Sequence, residues 1–135
     1  MTQPALSDAD YATLAEFRFT LRQFMAFSEG QAASHGLTAQ QHQTLLAIRA
    51  APPDHATIGY VAERLLLKPH SASGLVDRLE ALELLARRPS PTDRRQALLT
   101  LTPKAQAILA QLSATHREEI RRLGPLLRAL LGQVE

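Results

Sequence analysis

The stretch LVDRLEALELLARRPSPTDRRQALLTLTPKA, residues 75–105, changes its periodicity twice, and those changes decide the fold. Leu75, Val76, Leu79 and Leu82 keep helical spacing, so the stretch opens as the end of a helix. From Leu84 to Arg88 the pattern fits a strand. Pro89-Ser90-Pro91-Thr92-Asp93 is turn chemistry, and Gln96 to Thr102 alternates, with Ala97, Leu99 and Leu101 on one face. A β-hairpin is expected there, directly after a helix. Thr102-Pro103 then supplies a cap and a first-turn proline, so another helix starts.

Working back from this stretch, Pro69 suits the first turn of the helix that ends near Leu82, whose inward face is Ala72, Leu75, Val76, Leu79 and Leu82. Thr57 caps a short helix before it, with Ile58, Val61, Ala62 and Leu65 inward. Two short helices joined by a tight turn are the footprint of a helix-turn-helix. Further upstream, Thr38 and Gln41 form a capping box for a helix with Leu45, Leu46 and Ile48 inward, stopped by Pro52-Pro53. Ser7 and Asp10 form another, opening a long helix that carries Leu14, Phe17, Leu21, Phe24 and Met25 and ends near Gly36. Downstream, Ala105, Ile108, Leu109, Leu112, His116, Ile120 and Leu123 make one stripe. Gly124-Pro125 is expected to break that helix and leave a last short one with Leu126, Leu127, Leu130 and Leu131.

The chain has 135 residues and no cysteine. It fits one compact unit with helical extensions, and disulfides, zinc-thiolate sites and thiol chemistry are excluded within it. Fifteen Lys+Arg stand against 13 Asp+Glu, so the placement of charge matters more than its sum. No apolar run approaches the roughly 20 residues that span a bilayer. The N-terminal MTQPALSDADY lacks the regions of a secretory signal, and the chain reads as soluble and cytoplasmic with no membrane partner. No phosphate loop, Gly-x-Ser-x-Gly or cysteine nucleophile is present, and no enzymatic activity or cofactor is expected. Glu118-Glu119 reads as a solvated pair of acids. Five histidines occur without a His-x-x-x-His pair. His42 and His116, even with Glu119, are too few dedicated ligands, so no metal site is expected.

From Leu65 to Gln106 the sequence resembles the winged helix-turn-helix of the MarR family, and residues 75–105 carry most of the likeness; Gly36 to Ile48 also resembles that family's second helix. The resemblance implies a mainly α fold with a small β-hairpin wing. It assigns 37–102 to the winged helix-turn-helix lobe, and 1–36 with 103–135 to a helical dimerisation region. It further implies a homodimer that binds double-stranded DNA at a partly palindromic operator, with a small-molecule effector in a cleft between lobe and dimer helices. A transcriptional repressor is therefore expected, the alternative being a winged-helix protein-interaction module without DNA binding.

The residues support the DNA reading on their own terms. Arg87, Arg88, Arg94, Arg95 and Lys104 fall within a short span containing one acid, Asp93, and such a hairpin suits the minor groove and its flanking phosphates. In the family, the wing Asp orients an Arg toward that groove, which Asp93 and Arg95 match; Arg94 is the alternative insertion candidate. On the recognition helix, Lys68, His70, Ser71, Ser73 and Gly74 lie near the N-terminus, where base edges are read, and Arg78 is placed for a phosphate or an ion pair. Three positions depart from the family pattern: Leu66 at the turn, Lys68 at the N-cap, and Glu83 where Gly or Asn commonly ends the recognition helix. For the effector cleft, Phe17, Phe24, His42, Leu45 and Arg49 are the expected lining, because their helices should flank it.

Overall fold

A computed structural model describes residues 3–134. Five helices and one hairpin follow in the order α1 (Asp8–Ser34), α2 (Ala39–Ala50), α3 (Ile58–Leu65), α4 (Pro69–Ala81), β1 (Leu85–Pro89), β2 (Ala97–Leu101) and α5 (Pro103–Gly132). The helix starts are those the caps predict. Ser7 Oγ accepts from Asp10 N while Asp10 returns the bond to Ser7 N, and Thr38 and Gln41 do the same for α2. Thr57 and Thr102 cap α3 and α5 through single side-chain bonds.

Three helices stop in the same way. After α1, Leu37 N donates to Ala32 O and Gly36 N to Ala33 O. After α3, Leu67 N donates to Ala62 O, and after α4, Leu84 N donates to Leu79 O. Each is the bond pattern that closes a helix through one left-handed residue, followed by an apolar one. The left-handed residues are Gly36, Leu66 and Glu83, with φ of 77°, 56° and 61°. Only the first is a glycine, so Leu66 and Glu83 hold backbone strain that a Cβ makes unfavourable. Leu66 is also 93% exposed and gains nothing from burial in the chain. Leu66→Gly should therefore raise stability by about 1 kcal/mol, allowing for the larger backbone entropy glycine loses. Thermal denaturation would show this as a midpoint higher by roughly 3–5 °C; an unchanged or lower midpoint would mean that the left-handed turn carries no strain.

The fold corrects the expected break at Gly124-Pro125. α5 runs through Pro125 without interruption. Proline withdraws one donor, leaving the carbonyl of Arg121, an exposed residue whose acceptor water can satisfy. Gly124 has no Cβ to meet the proline ring, which is the usual obstacle at the preceding position. Leu123 and Leu130, seven residues apart and both buried, carry one packed stripe across the site. What reads as two helices is one of 30 residues.

The strands pair antiparallel, Leu85 with Leu101, Arg87 with Leu99 and Pro89 with Ala97. Leu99 N also donates to Ala56 O at 2.7 Å, so the segment before α3 borders the hairpin. The expected one-sided alternation of β2 holds for Leu99 but fails at Leu98, which is buried as well. The core is continuous from Ala32 and Leu37 through Leu45, Val61, Val76 and Leu79 to Leu99, Leu109 and Leu112. It crosses both Gly36 and Thr102, so the first turns of α5 pack with the lobe. Leu46, expected inward, is exposed at the edge of this core, and Leu82 lies at the boundary of exposure. Among the described residues, no helix is long and apolar enough to cross a membrane.

Candidate nucleic-acid interface and the cleft behind it

α4 presents its N-terminal end to solvent. Lys68 is the N-cap and makes no side-chain capping bond, while Pro69 fills the first helical position. Lys68, His70, Ser71, Gly74 and Arg78 are exposed, and Ser73 is half-buried. Nothing lies within 4 Å of where a Cβ on Gly74 would sit, so that surface is open to a closely approaching partner. Arg78 has no ion-pair partner among the described residues, because Asp77 beside it is taken by Arg87.

The wing is built by two side chains. The buried Ser90 Oγ accepts from Thr92 N and Asp93 N at 3.3 and 3.2 Å, and this folds the turn back on itself. Asp93 Oδ1 then accepts from Arg95 N at 3.0 Å and Arg95 Nε at 3.4 Å. The carboxylate thus fixes the root and one edge of Arg95, whose side chain remains 91% exposed. Arg94 is exposed at the tip. Ser90 was not singled out by sequence reasoning; its signal was the Ser-x-x-Asp spacing inside the turn.

The fold also brings acids to this surface that lie outside the short basic span. Arg87 pairs with Asp77 and, at 3.5 Å, with Glu80, both on α4. Arg88 approaches Asp54 at 3.9 Å, and Lys104 Nζ donates to Leu82 O at 3.5 Å. Of the five basic residues around the hairpin, Arg94 and Arg95 are the two at the tip, and Arg95 stays exposed although Asp93 holds one edge of it. Arg88, expected to reach DNA, is drawn toward the loop after α2.

Behind the lobe, α1, α2 and α5 enclose a cleft of about 610 Å³. Phe24 and His42 line it, joined by Met25, Ser28, Leu46, Ser113, His116, Arg117, Ile120 and Arg121. Three of the expected residues are elsewhere. Leu45 is fully buried in the core, Arg49 borders a separate groove of about 310 Å³ with Leu46 and Gln106, and Phe17 is half-buried on α1 outside the cleft lining. α1 and α2 do flank the cleft, through Phe24, Met25 and Ser28 on the first and His42, Gln43 and Leu46 on the second.

His42 and His116 meet in this cleft, with ring centroids 4.8 Å apart. His116 is held on both sides: its Nδ1 donates to Leu112 O at 2.7 Å, and its Nε2 bonds Ser28 Oγ at 2.8 Å. Phe27 stands edge-on at 5.5 Å. His42 is only 4% exposed and its Nδ1 is buried without a partner. Burial, and then the charges of His116 and His35, push its pKa below the ordinary 6.5. A base whose pKa falls on folding binds fewer protons folded than unfolded, so stability rises with pH across that interval. The contribution is complete above pH 6.5 and is lost as pH falls through the lowered folded value. Thermal melts between pH 7.5 and 5 should decline for the parent protein, and more gently for His42→Leu; parallel profiles would remove His42 as a source of the slope. Among the described residues, no group of three His, Asp or Glu is placed to hold a metal ion. Glu118 and Glu119 instead pair with Arg121 and Arg122, at 2.9 and 2.6 Å.

Residues 35–96 match the family model described as MarR family. That span holds α2, the helix-turn-helix and the wing tip, including every candidate DNA contact from Lys68 to Arg95. Over that span the chain is similar to MarR-family winged helices. The HTH-type transcriptional regulator MhqR of Bacillus subtilis is 38% identical over 60 residues, 44% of this chain and 41% of that protein. The chain thus matches about two-fifths of the length of that curated relative. Among solved structures, RV1404 from Mycobacterium tuberculosis is 28% identical, with a TM-score of 0.70 over 95% of this chain and 92% of its own. The S. aureus MepR–DNA complex shares the fold at 18% identity, with a TM-score of 0.70 over 96% of this chain and 97% of that one. The likeness in fold therefore extends over α1 and α5, beyond the span that the family model covers.

Proposed function

We propose that the protein is a transcriptional repressor that binds a palindromic DNA operator as a homodimer in the cytoplasm and is released by a small-molecule effector. The reading assigns it no enzymatic activity. Residues 37–102 form the DNA-binding lobe, and 1–36 with 103–135 form the dimer region. One observation carries the proposal: an open α4 N-terminus stands beside a wing whose exposed Arg95 is braced by Asp93. Major-groove reading by α4 and minor-groove or phosphate contact by the wing follow from that pairing. The likeness in fold to MepR, a protein solved on DNA, supports it. Arg78 and Lys68 supply phosphate contacts, while His70, Ser71 and Ser73 face base edges.

The effector site is the 610 Å³ cleft, with Phe24 and His42 in its lining. A ligand there changes the spacing of the two lobes, which must match major grooves about 34–36 Å apart, and so weakens operator binding without dissociating the dimer. Selection of genomic fragments by the purified protein, followed by titration of the recovered duplex against salt, tests the DNA reading. A shared palindrome with a steep salt slope is the expected result. Failure to bind any duplex at low salt would overturn it in favour of a protein-interaction module.

A further inference from the structure

We propose that Arg87 is a positioning residue that clamps the wing to the recognition helix and does not itself touch DNA. The inference rests on the DNA-binding reading above for its functional part, but its structural part stands without it. Arg87 and Arg88 are neighbours on β1, so their side chains leave opposite faces of the hairpin. Arg87 takes the face toward α4. There its guanidinium spans Asp77, through Nη2, and Glu80, through Nε at 3.5 Å. Asp77 and Glu80 lie three residues apart on one face of α4, and a planar fork can bridge two such carboxylates where a point charge cannot. The Arg87 side chain is 31% exposed, against 66% for Asp77 and 46% for Glu80, so the cation is the more enclosed partner.

The clamp sits where the hairpin needs one. At its base the hairpin is tied by Thr102, whose Oγ1 donates to Glu83 O at 2.8 Å and whose N donates to Leu84 O. β2 is tied on its outer edge by the Leu99–Ala56 bond. Beyond Arg88 the tip rests on the two strands and the Ser90 turn, with Thr57, Ile58 and Gly59 bordering Arg95, Gln96 and Ala97, and a two-stranded ribbon is marginally rigid on its own. Of the side-chain links from hairpin to α4 among the described residues, Arg87 is the one nearest the tip. It therefore governs the angle between the element that reads the major groove and the arginines at the wing tip. The same contact offsets one of the two negative charges that Asp77 and Glu80 place on a helix approaching a polyanion. The charge Arg87 brings is spent inside the protein.

The absence of cysteine allows clean double labelling. Spin labels on Thr92→Cys and Ser71→Cys, on the wing and on α4, report the angle in the full chain without DNA. Arg87→Met should broaden the distance distribution and Arg87→Lys should resemble it, because lysine cannot bridge both acids. In an Asp77→Asn, Glu80→Gln background, Arg87→Met should add nothing. On operator duplex, Arg87→Met should lower specific affinity by about tenfold, within the range for coupled neighbours, with the salt slope unchanged. An unchanged distance distribution would overturn the clamp, whatever the DNA result. A slope shallower by about 0.9 would make Arg87 a phosphate contact and overturn the proposal from the other side. Broadening with unaltered specific affinity would leave a structural brace only and overturn the positioning role. If the parent protein bound no duplex, the DNA reading would fail while the distance measurement still decided the clamp.

Discussion

Replacing Arg94 and Arg95 together by alanine should weaken operator binding by about a hundredfold and flatten its salt dependence by roughly 0.9 for each phosphate that the variant no longer neutralises. The weakening should be similar on operator and on unrelated duplex, because a wing in the minor groove is drawn by the field of the backbone more than by base edges. The two guanidinium groups stand exposed at the wing tip, whereas Arg87 and Arg88 face carboxylates on other parts of the fold. Both substituted side chains are exposed, so the variant should melt with the parent protein. Asp93→Ala should reproduce part of the effect by releasing Arg95 from its bond at the turn. His70→Ala or Ser73→Ala should instead alter which sequence is preferred. Titrations of selected and scrambled duplexes at several salt concentrations separate the two patterns. Were the arginine pair to change preference and His70 to change affinity uniformly, the roles of wing and recognition helix would be reversed.

The helix ends and the hairpin were legible in the sequence because their causes are local. A Ser or Thr three residues before an Asp or Gln caps a helix wherever it lies, and Gly36 stops one for reasons that need no neighbour. Three features were not legible. Pro125 obeyed a tertiary cause: buried Leu123 and Leu130 hold the helix on either side of it, and Gly124 removes the clash. Leu46 follows the same helical spacing as Leu45, yet one is fully buried and the other lines the cleft. Periodicity gives the face of a helix but not how far the neighbouring helix extends over it. The charge state of the wing depended on Asp54, Asp77 and Glu80, which are remote from residues 87–95 or on another element, and only the folded chain brings them there. Resemblance singled out Asp93 and Arg95 as a pair, and the fold joins the two by hydrogen bonds within the wing.

The largest expected effect on operator binding comes from residues far from DNA. Leu6, Tyr11, Leu14, Leu21 and Met25, on or just before α1, are exposed in the single chain, as are Ile120, Leu126, Leu131 and Val134 on or after α5. Thr13 Oγ1 donates to Gln133 Oε1 at 2.7 Å, which brings the start of α1 and the end of α5 to one place. Apolar surface gathered on two adjacent elements marks an interface, and burying it against a second copy gains roughly 25 cal/mol per Å² before the costs of association. Leu14 and Leu131, 50% and 53% exposed, lie at that shared end. Leu14→Glu with Leu131→Glu places four acids at a two-fold contact while removing little packing within the chain. On the proposed homodimer, the variant should sediment as a monomer at micromolar concentration where the parent protein sediments as a dimer. A monomer engages one half-site, and the second half-site no longer benefits from the effective concentration that linkage supplied, so operator affinity should fall by about 10²–10⁴. Affinity for a single half-site should stay close to that of the parent protein, because α4 and the wing are untouched. A parent protein that is itself monomeric, or a variant that remains dimeric with full operator affinity, would place the dimer interface elsewhere or remove it.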